Sequence, residues 1–131
     1  TLLDMCDIPI PETVEGLSLV SDKQRDRLYC EHYEDERSQR MIRTKKHKLI
    51  YYPTGNRFQL FDMDNDPREM KDLSEDPHHA DTLEALRNML KSELYGSDLE
   101  WLEGDRFVGL PDRPAEIPVD VGLLGQRGRR M

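Results

Sequence analysis

The chain has 131 residues, of which 35% are charged and 36% hydrophobic, with a mean hydropathy of −0.82 and a formal net charge of −8. That length allows one domain with a modest core, and so polar a composition suggests that part of its apolar surface faces something else. The negative charge argues against non-specific binding to nucleic acid or an anionic membrane, which both need a positive surface, and no apolar run approaches the ~20 residues of a membrane span.

Leu2, Leu3 and Cys6 fall on one face at helical spacing, so residues 1–7 read as the end of a helix. Seven residues are too few to hold a helix alone, and with Thr1 in place of Met the reading expects sequence upstream. The lack of a signal peptide therefore says nothing about localisation. Ile8-Pro9-Ile10-Pro11 cannot continue a helix, and a loop runs on to Leu19. Residues 21–27 are charged and read as exposed. From Leu28 to Tyr33 the pattern alternates as a strand, with Leu28, Cys30 and His32 on one face and Tyr29, Glu31 and Tyr33 on the other. The two cysteines, Cys6 and Cys30, do not make a disulfide framework. Half-buried free thiols are expected, with a bridge left to geometry.

The centre of the chain reads as an antiparallel meander with strands at about 40–46, 47–52 and 57–62. Pro53-Thr54-Gly55-Asn56 is its clearest turn, because Pro presets φ while Gly and Asn tolerate positive φ. Asp62-Met63-Asp64-Asn65-Asp66-Pro67 ends the last strand, its carboxylates and amide able to bond nearby N–H groups. Asp76-Pro77 is a helix start, with Asp at the N-cap and Pro at the first helical position. Leu83, Leu86, Leu90 and Leu94 then form one apolar stripe on a helix of about residues 77–95, which Gly96 would stop. Beyond Ser97 regularity fades, leaving Trp101, Phe107 and Val108 as scattered anchors and residues 121–131 as an extended tail. The expected fold is α+β: a small antiparallel sheet of three to four strands, one long helix packed on a face, and an irregular C-terminal tail.

Few constellations carry chemistry. Asp62, Asp64 and Asp66 have the opening spacing of an EF-hand, but Pro67 stands where Gly is needed and Leu73 where a bidentate Glu is needed. His78 and His79 are neighbours on a helix and point about 100° apart, which does not suit one ion. Cys30 and His32 share a strand face, with no second ligand pair at zinc spacing. The basic run Arg43 to Lys48 divides its charges between two faces. It reads either as a solvated edge guarded by lysines or as a face presenting Arg43 or Lys48, with His32 or His47, to an anionic substrate. No phosphate loop, Gly-x-Ser-x-Gly elbow or nucleophile–base pair is present.

One stretch resembles a known family. Ile42-Arg43-Thr44-Lys45 and Lys48-Leu49-Ile50-Tyr51-Tyr52, followed by Leu60-Phe61-Asp62-Met63-Asp64-Asn65-Asp66-Pro67-Arg68-Glu69-Met70-Lys71-Asp72-Leu73, are similar to the C-terminal subdomain of the sulfatases. There a strand pair precedes Leu-(Phe/Tyr)-Asp-Leu-x-x-Asp-Pro-x-Glu-x-x-Asn-Leu and a helix. Thr1-Leu2-Leu3-Asp4 with Ile8-Pro9-Ile10-Pro11, and Gly122-Leu123-Leu124-Gly125-Gln126-Arg127-Gly128 near the end, extend the resemblance to both termini.

The resemblance implies a division into residues 1–19, the end of a core helix and a linker from an N-terminal domain, residues 20–96, the α+β subdomain, and residues 97–131, an extended tail. It implies a parent enzyme hydrolysing sulfate esters with a formylglycine nucleophile and calcium, both in a large N-terminal domain, and an exported or periplasmic location. Neither cysteine matches the Cys/Ser-x-Pro-x-Arg motif, so no catalytic or metal residue is carried over, and the piece alone is expected to be inactive. It would pack on its own catalytic domain and help wall the substrate entrance, with Arg43, Lys48, His32 and His47 as the candidate contacts to a sulfate-ester substrate. Two alternatives stay open: the same subdomain from a phosphatase or phosphonate hydrolase of the superfamily, and a free-standing acidic interaction module.

Overall fold

The computed structural model describes residues 1–113; the tail expected over 121–131 lies outside the described residues. A short helix, α1 (Leu2–Met5), comes first, and its side chains are not buried. Four antiparallel strands follow: β1 (Arg27–His32), β2 (Gln39–Thr44), β3 (His47–Tyr52) and β4 (Arg57–Asp62). They lie in sequence order, β1-β2-β3-β4, as expected when short turns join consecutive strands.

The turns explain the register. Between β3 and β4, Gly55 and Asn56 take φ of +77° and +49°, and the Asn56 N–H returns to the Pro53 carbonyl at 2.8 Å. The Asn56 side chain then ties this turn to later chain, accepting from the Tyr51 hydroxyl and donating to the Phe107 carbonyl, both at 3.0 Å. Between β2 and β3, Thr44 Oγ1 accepts the His47 N–H at 3.0 Å and donates to the His47 carbonyl at 3.1 Å. Arg43 is set opposite Lys48, and Ile42 opposite Leu49.

The principal helix, α2 (Ala80–Glu93), is entered through a 3-10 turn at Pro77–His79, where the Asp76 carboxylate accepts the His78 N–H at 3.0 Å. It ends before Gly96 because Leu94 turns extended, with ψ of 140°, and buries its side chain. Leu83, Leu86, Leu90 and Leu94 meet Ile42, Leu49, Tyr51 and Leu60 of the sheet in one apolar cluster. Full burial of each such side chain is worth about 1.5–3 kcal/mol.

The stretch after Gly96 is more regular than its sequence suggests. A 3-10 turn, Gly96–Trp101, leads into a small hairpin of β5 (Leu102–Glu103) and β6 (Arg106–Phe107). Trp101 and Phe107 enter the main core, where Tyr51 stacks on Phe58, 4.6 Å away, and meets Phe107 at a tilt, 4.7 Å away. The Leu110 N–H bonds the Pro53 carbonyl at 2.8 Å, which brings this segment back to the β3–β4 turn.

Candidate functional site

Alternation along the strands sorts the sheet into two faces. Ile42, Leu49, Tyr51 and Leu60 point to α2, and His47, two residues before Leu49, points the same way. The opposite face carries Leu28, Cys30 and His32 of β1, Met41 and Arg43 of β2, and Lys48 and Ile50 of β3. The register therefore brings three of the candidate residues to one face and leaves His47 on the other.

These three are not gathered at one point. Arg43 and Lys48 face each other across β2 and β3, whereas His32 pairs with Gln39, four residues from Arg43 and so roughly 13 Å along the strand. The Arg43 guanidinium turns back on the β2–β3 turn, donating to the Thr44 carbonyl, the Lys45 carbonyl at 3.0 Å and the His47 carbonyl at 3.5 Å. Lys48 donates to Glu69 at 2.7 Å, tying β3 to the segment after β4. His32 is exposed, its ring centroid 4.0 Å from that of Tyr33. Burial pushes the His47 imidazole below its ordinary pKa, and the carboxylate of Asp62 opposite offsets this only in part.

The other sequence candidates resolve as structural groups. Asp62 accepts from the N–H groups of Asp64 and Asn65 and from the Asn65 amide, at 3.0, 3.2 and 2.9 Å. The side-chain bond from Asn65 is the main cause holding its carboxyl below the usual range. The Asp-rich segment is thus a turn stitched by its own side chains. His79 Nδ1 lies 3.5 Å from Asp76, the cap of its own turn. Cys6 and Cys30 are free thiols and are exposed rather than half-buried. Among the described residues, no group of three or more His, Cys, Asp or Glu side chains gathers to hold a metal.

Two features were not singled out in the sequence. Arg40 is buried on the α2 side of the sheet and forms a bidentate pair with Asp98, at 2.5 and 2.9 Å. Burial works against its charge, but the Asp98 bonds more than offset this and raise its pKa. The signal lay in the alternation, since Arg40 is in phase with Ile42. The second feature is the N-terminal arm. Among the described residues, eight of the fourteen exposed large apolar side chains fall within residues 1–20, with Leu2 80% and Leu19 89% exposed. Exposed apolar patches of this kind are the usual composition of an interaction surface.

The comparisons fall on this same architecture. A family model described as N-sulphoglucosamine sulphohydrolase, C-terminal, matches residues 1–95. An arylsulfatase of Clostridium perfringens is 33% identical over 114 residues, which is 82% of this chain and 24% of that protein. A Delta 4,5-hexuronate-2-O-sulfatase of Bacteroides thetaiotaomicron is 31% identical over 101 residues, 69% of this chain and 21% of that protein. The solved structure of a 2-O GAG sulfatase superposes with a TM-score of 0.64 at 32% identity, covering 70% of this chain and 22% of its own. A further structure, determined with its substrate D-glucosamine-2-N,6-O-disulfate, shares the fold with a TM-score of 0.62 at 23% identity, covering 81% of this chain and 24% of its own. The chain thus spans about a quarter of the length of the proteins it matches.

Proposed function

The chain belongs to the C-terminal family of the sulfatases, and on that premise we propose that it is the subdomain of a sulfuric ester hydrolase that packs on the catalytic domain and borders the substrate entrance. The observation that carries this reading is the N-terminal arm. Leu2, Met5, Ile8, Leu19 and Val20 hold their side chains more than half exposed, and they lie in the part where the family match begins. Covered by a neighbouring domain, each would gain about 25 cal/mol for every Å² of apolar surface removed from water.

Calcium and formylglycine, which the resemblance implies, do not fit the described residues. Cys6 is followed by Asp7-Ile8-Pro9-Ile10 and Cys30 by Glu31-His32, neither giving Cys-x-Pro-x-Arg, and no carboxylate or imidazole cluster is present among them. In this reading both groups belong to the catalytic domain. This chain supplies packing and a border: Arg43 and Lys48 hold the open sheet face in shape, His47 sits on the α2 side, and His32 is left to meet a ligand. Of the relatives, one is named an arylsulfatase and two are named for 2-O sulfates of a hexuronate and of GAG; the proposed substrate is of the second kind, a sulfated carbohydrate.

The test is release of inorganic sulfate from a 2-O-sulfated uronate disaccharide by the native full-length protein. Sulfate release is expected. Turnover of a phosphate monoester with no sulfate released would overturn the reading in favour of phosphoryl transfer.

A further inference from the structure

The loop that joins β1 to β2 and the 3-10 turn Gly96–Trp101 enclose two adjoining clefts, of 430 and 640 Å³, which share Glu34, Asp35 and Ser97 as a common wall. Six carboxylates line them, those of Glu31, Glu34, Asp35, Glu36, Asp98 and Glu100, against the two guanidiniums of Arg37 and Arg40. Arg40 is committed to Asp98, at 2.5 and 2.9 Å, and Glu31 accepts the Tyr95 hydroxyl at 3.0 Å. Arg37 lies over the Tyr33 ring, 5.1 Å from its centroid. Among the described residues, the carboxylates of Glu34, Asp35 and Glu100 enter no ion pair, so the cleft keeps an excess of negative charge. The acidic turn after β4 differs, because Asp62 is already met by three donors of its own turn.

The walls are not only charged. Tyr33 and Tyr95 are 55% and 63% exposed, and Leu110 lies beside the buried Trp101. Aromatic faces among carboxylates suit a guanidinium, which stacks through its plane and donates at its edge. Arg37 over Tyr33 shows the stacking half of that arrangement.

The described chain also leaves from this place. The Leu110 N–H is tied to the Pro53 carbonyl at 2.8 Å, and Arg113 donates to Glu36 Oε2 at 2.7 Å on the rim of the cleft. Arg127, Arg129 and Arg130 then put three positive charges within four positions of a chain whose net charge is −8. The stretch from 114 to 127 can span up to about 45 Å when extended, so its length does not prevent a return to the cleft.

We propose that this cleft is the docking site of the chain's own basic segment, residues 127–130, whose arginines meet Glu34, Asp35 and Glu100. Charge complementarity and the point where the described chain leaves select this occupant, and Arg113 on Glu36 is a first contact of the same kind. Docking would clasp the β1–β2 loop to the Gly96–Trp101 turn, the two elements that border the Arg40–Asp98 pair. The inference stands apart from the sulfatase reading.

The test is amide hydrogen exchange in the native full-length protein and three variants of it. One carries Arg127→Gln, Arg129→Gln and Arg130→Gln. The second carries Glu34→Gln, Asp35→Asn and Glu100→Gln, with Asn chosen because it tolerates the φ of +56° at Asp35. The third combines all six changes. Each triple variant should speed exchange in residues 33–37 and 96–101 by about fivefold, with exchange in β2 to β4 unchanged as the sign of an intact fold. The combined variant should be no faster than either, because groups that meet lose the same interaction only once. Raising the ionic strength should bring the wild type toward the variants. Unchanged exchange in the arginine variant would overturn the proposal. So would additive effects, which mean that the two groups act apart. Faster exchange confined to residues 1–20 would place the arginines elsewhere, and protection lost on dilution would assign the cleft to a second copy; either overturns the clasp.

Discussion

Arg40 and Asp98 form a buried bidentate ion pair across 58 residues of sequence, with each side chain 6% exposed. It joins β2 to the 3-10 turn that carries Trp101, and the Arg40 Cζ lies 5.1 Å from the Trp101 ring centroid. Burying both charges is expensive, so the pair contributes little net stability while intact and a great deal of loss when broken. Asp98→Ala is expected to cost about 3 kcal/mol in chemical denaturation, because Arg40 is left charged and buried with the Tyr33 and Gln39 carbonyls and Glu31, 4.0 Å away, as its remaining partners. Arg40→Met with Asp98→Ala should recover most of that loss. A double variant as unstable as the single one would contradict this account.

Gly109 and Gly96 both take left-handed φ, at 61° and 58°, but their surroundings differ. A Cβ at Gly109 would lie 2.4 Å from the Pro53 carbonyl oxygen, whereas one at Gly96 meets nothing within 4 Å. Gly96→Ala should therefore cost about 1 kcal/mol, the strain of the backbone conformation alone. Gly109→Ala should cost more, because it pushes the Leu110 segment off the β3–β4 turn. Thermal melts of the two variants, compared directly, give the order.

Asp76 should report acid unfolding of the helix entrance. The His78 N–H bond is the first cause that holds its carboxyl below the ordinary 3.8. A folded value below the unfolded one means stabilisation that is present above pH 3.8 and is lost as pH falls through the folded value. Asp76→Asn keeps an acceptor at the cap but does not titrate. Its melting temperature should fall less than that of the wild type as pH is lowered from above 3.8 through the folded value of this carboxyl. Parallel pH profiles for the two proteins would contradict the assignment.

Substitutions on the open sheet face should separate by role. Lys48→Ala and Arg43→Ala remove bonds that hold Glu69 and the β2–β3 turn, so they should lower the melting temperature. His32→Ala touches exposed structure and should leave the melting temperature in place. In the native enzyme it should raise KM for a sulfated saccharide with little change in kcat, as expected where ground state and transition state are bound alike. An unchanged KM would remove His32 from the substrate border.

Much of this fold is legible in the sequence because its signals are local. Pro53-Thr54-Gly55-Asn56 fixes one turn, Asp76-Pro77 fixes the helix entrance, and the leucines of α2 repeat at helical spacing. The strands fall within a residue or two of where alternation places them. The ordered stretch from Gly96 to Phe107 is not legible, because a 3-10 turn and two-residue strands carry no period and are held by distant partners. Nor is the use of the charges. Arg43 and Lys48 look free in sequence and are engaged in the fold, while Arg40, whose phase with Ile42 alone points inward, lies in the core beside Asp98. Which charge is free depends on contacts such as Lys48 with Glu69, 21 residues apart, and no local pattern encodes them.

The most direct measurement is the mass of the nucleophile peptide from the native full-length protein. The account predicts a Cys/Ser-x-Pro-x-Arg segment outside this chain whose first residue has the mass of the aldehyde. An unmodified Ser or Thr nucleophile set among metal ligands, with no such segment, would contradict it.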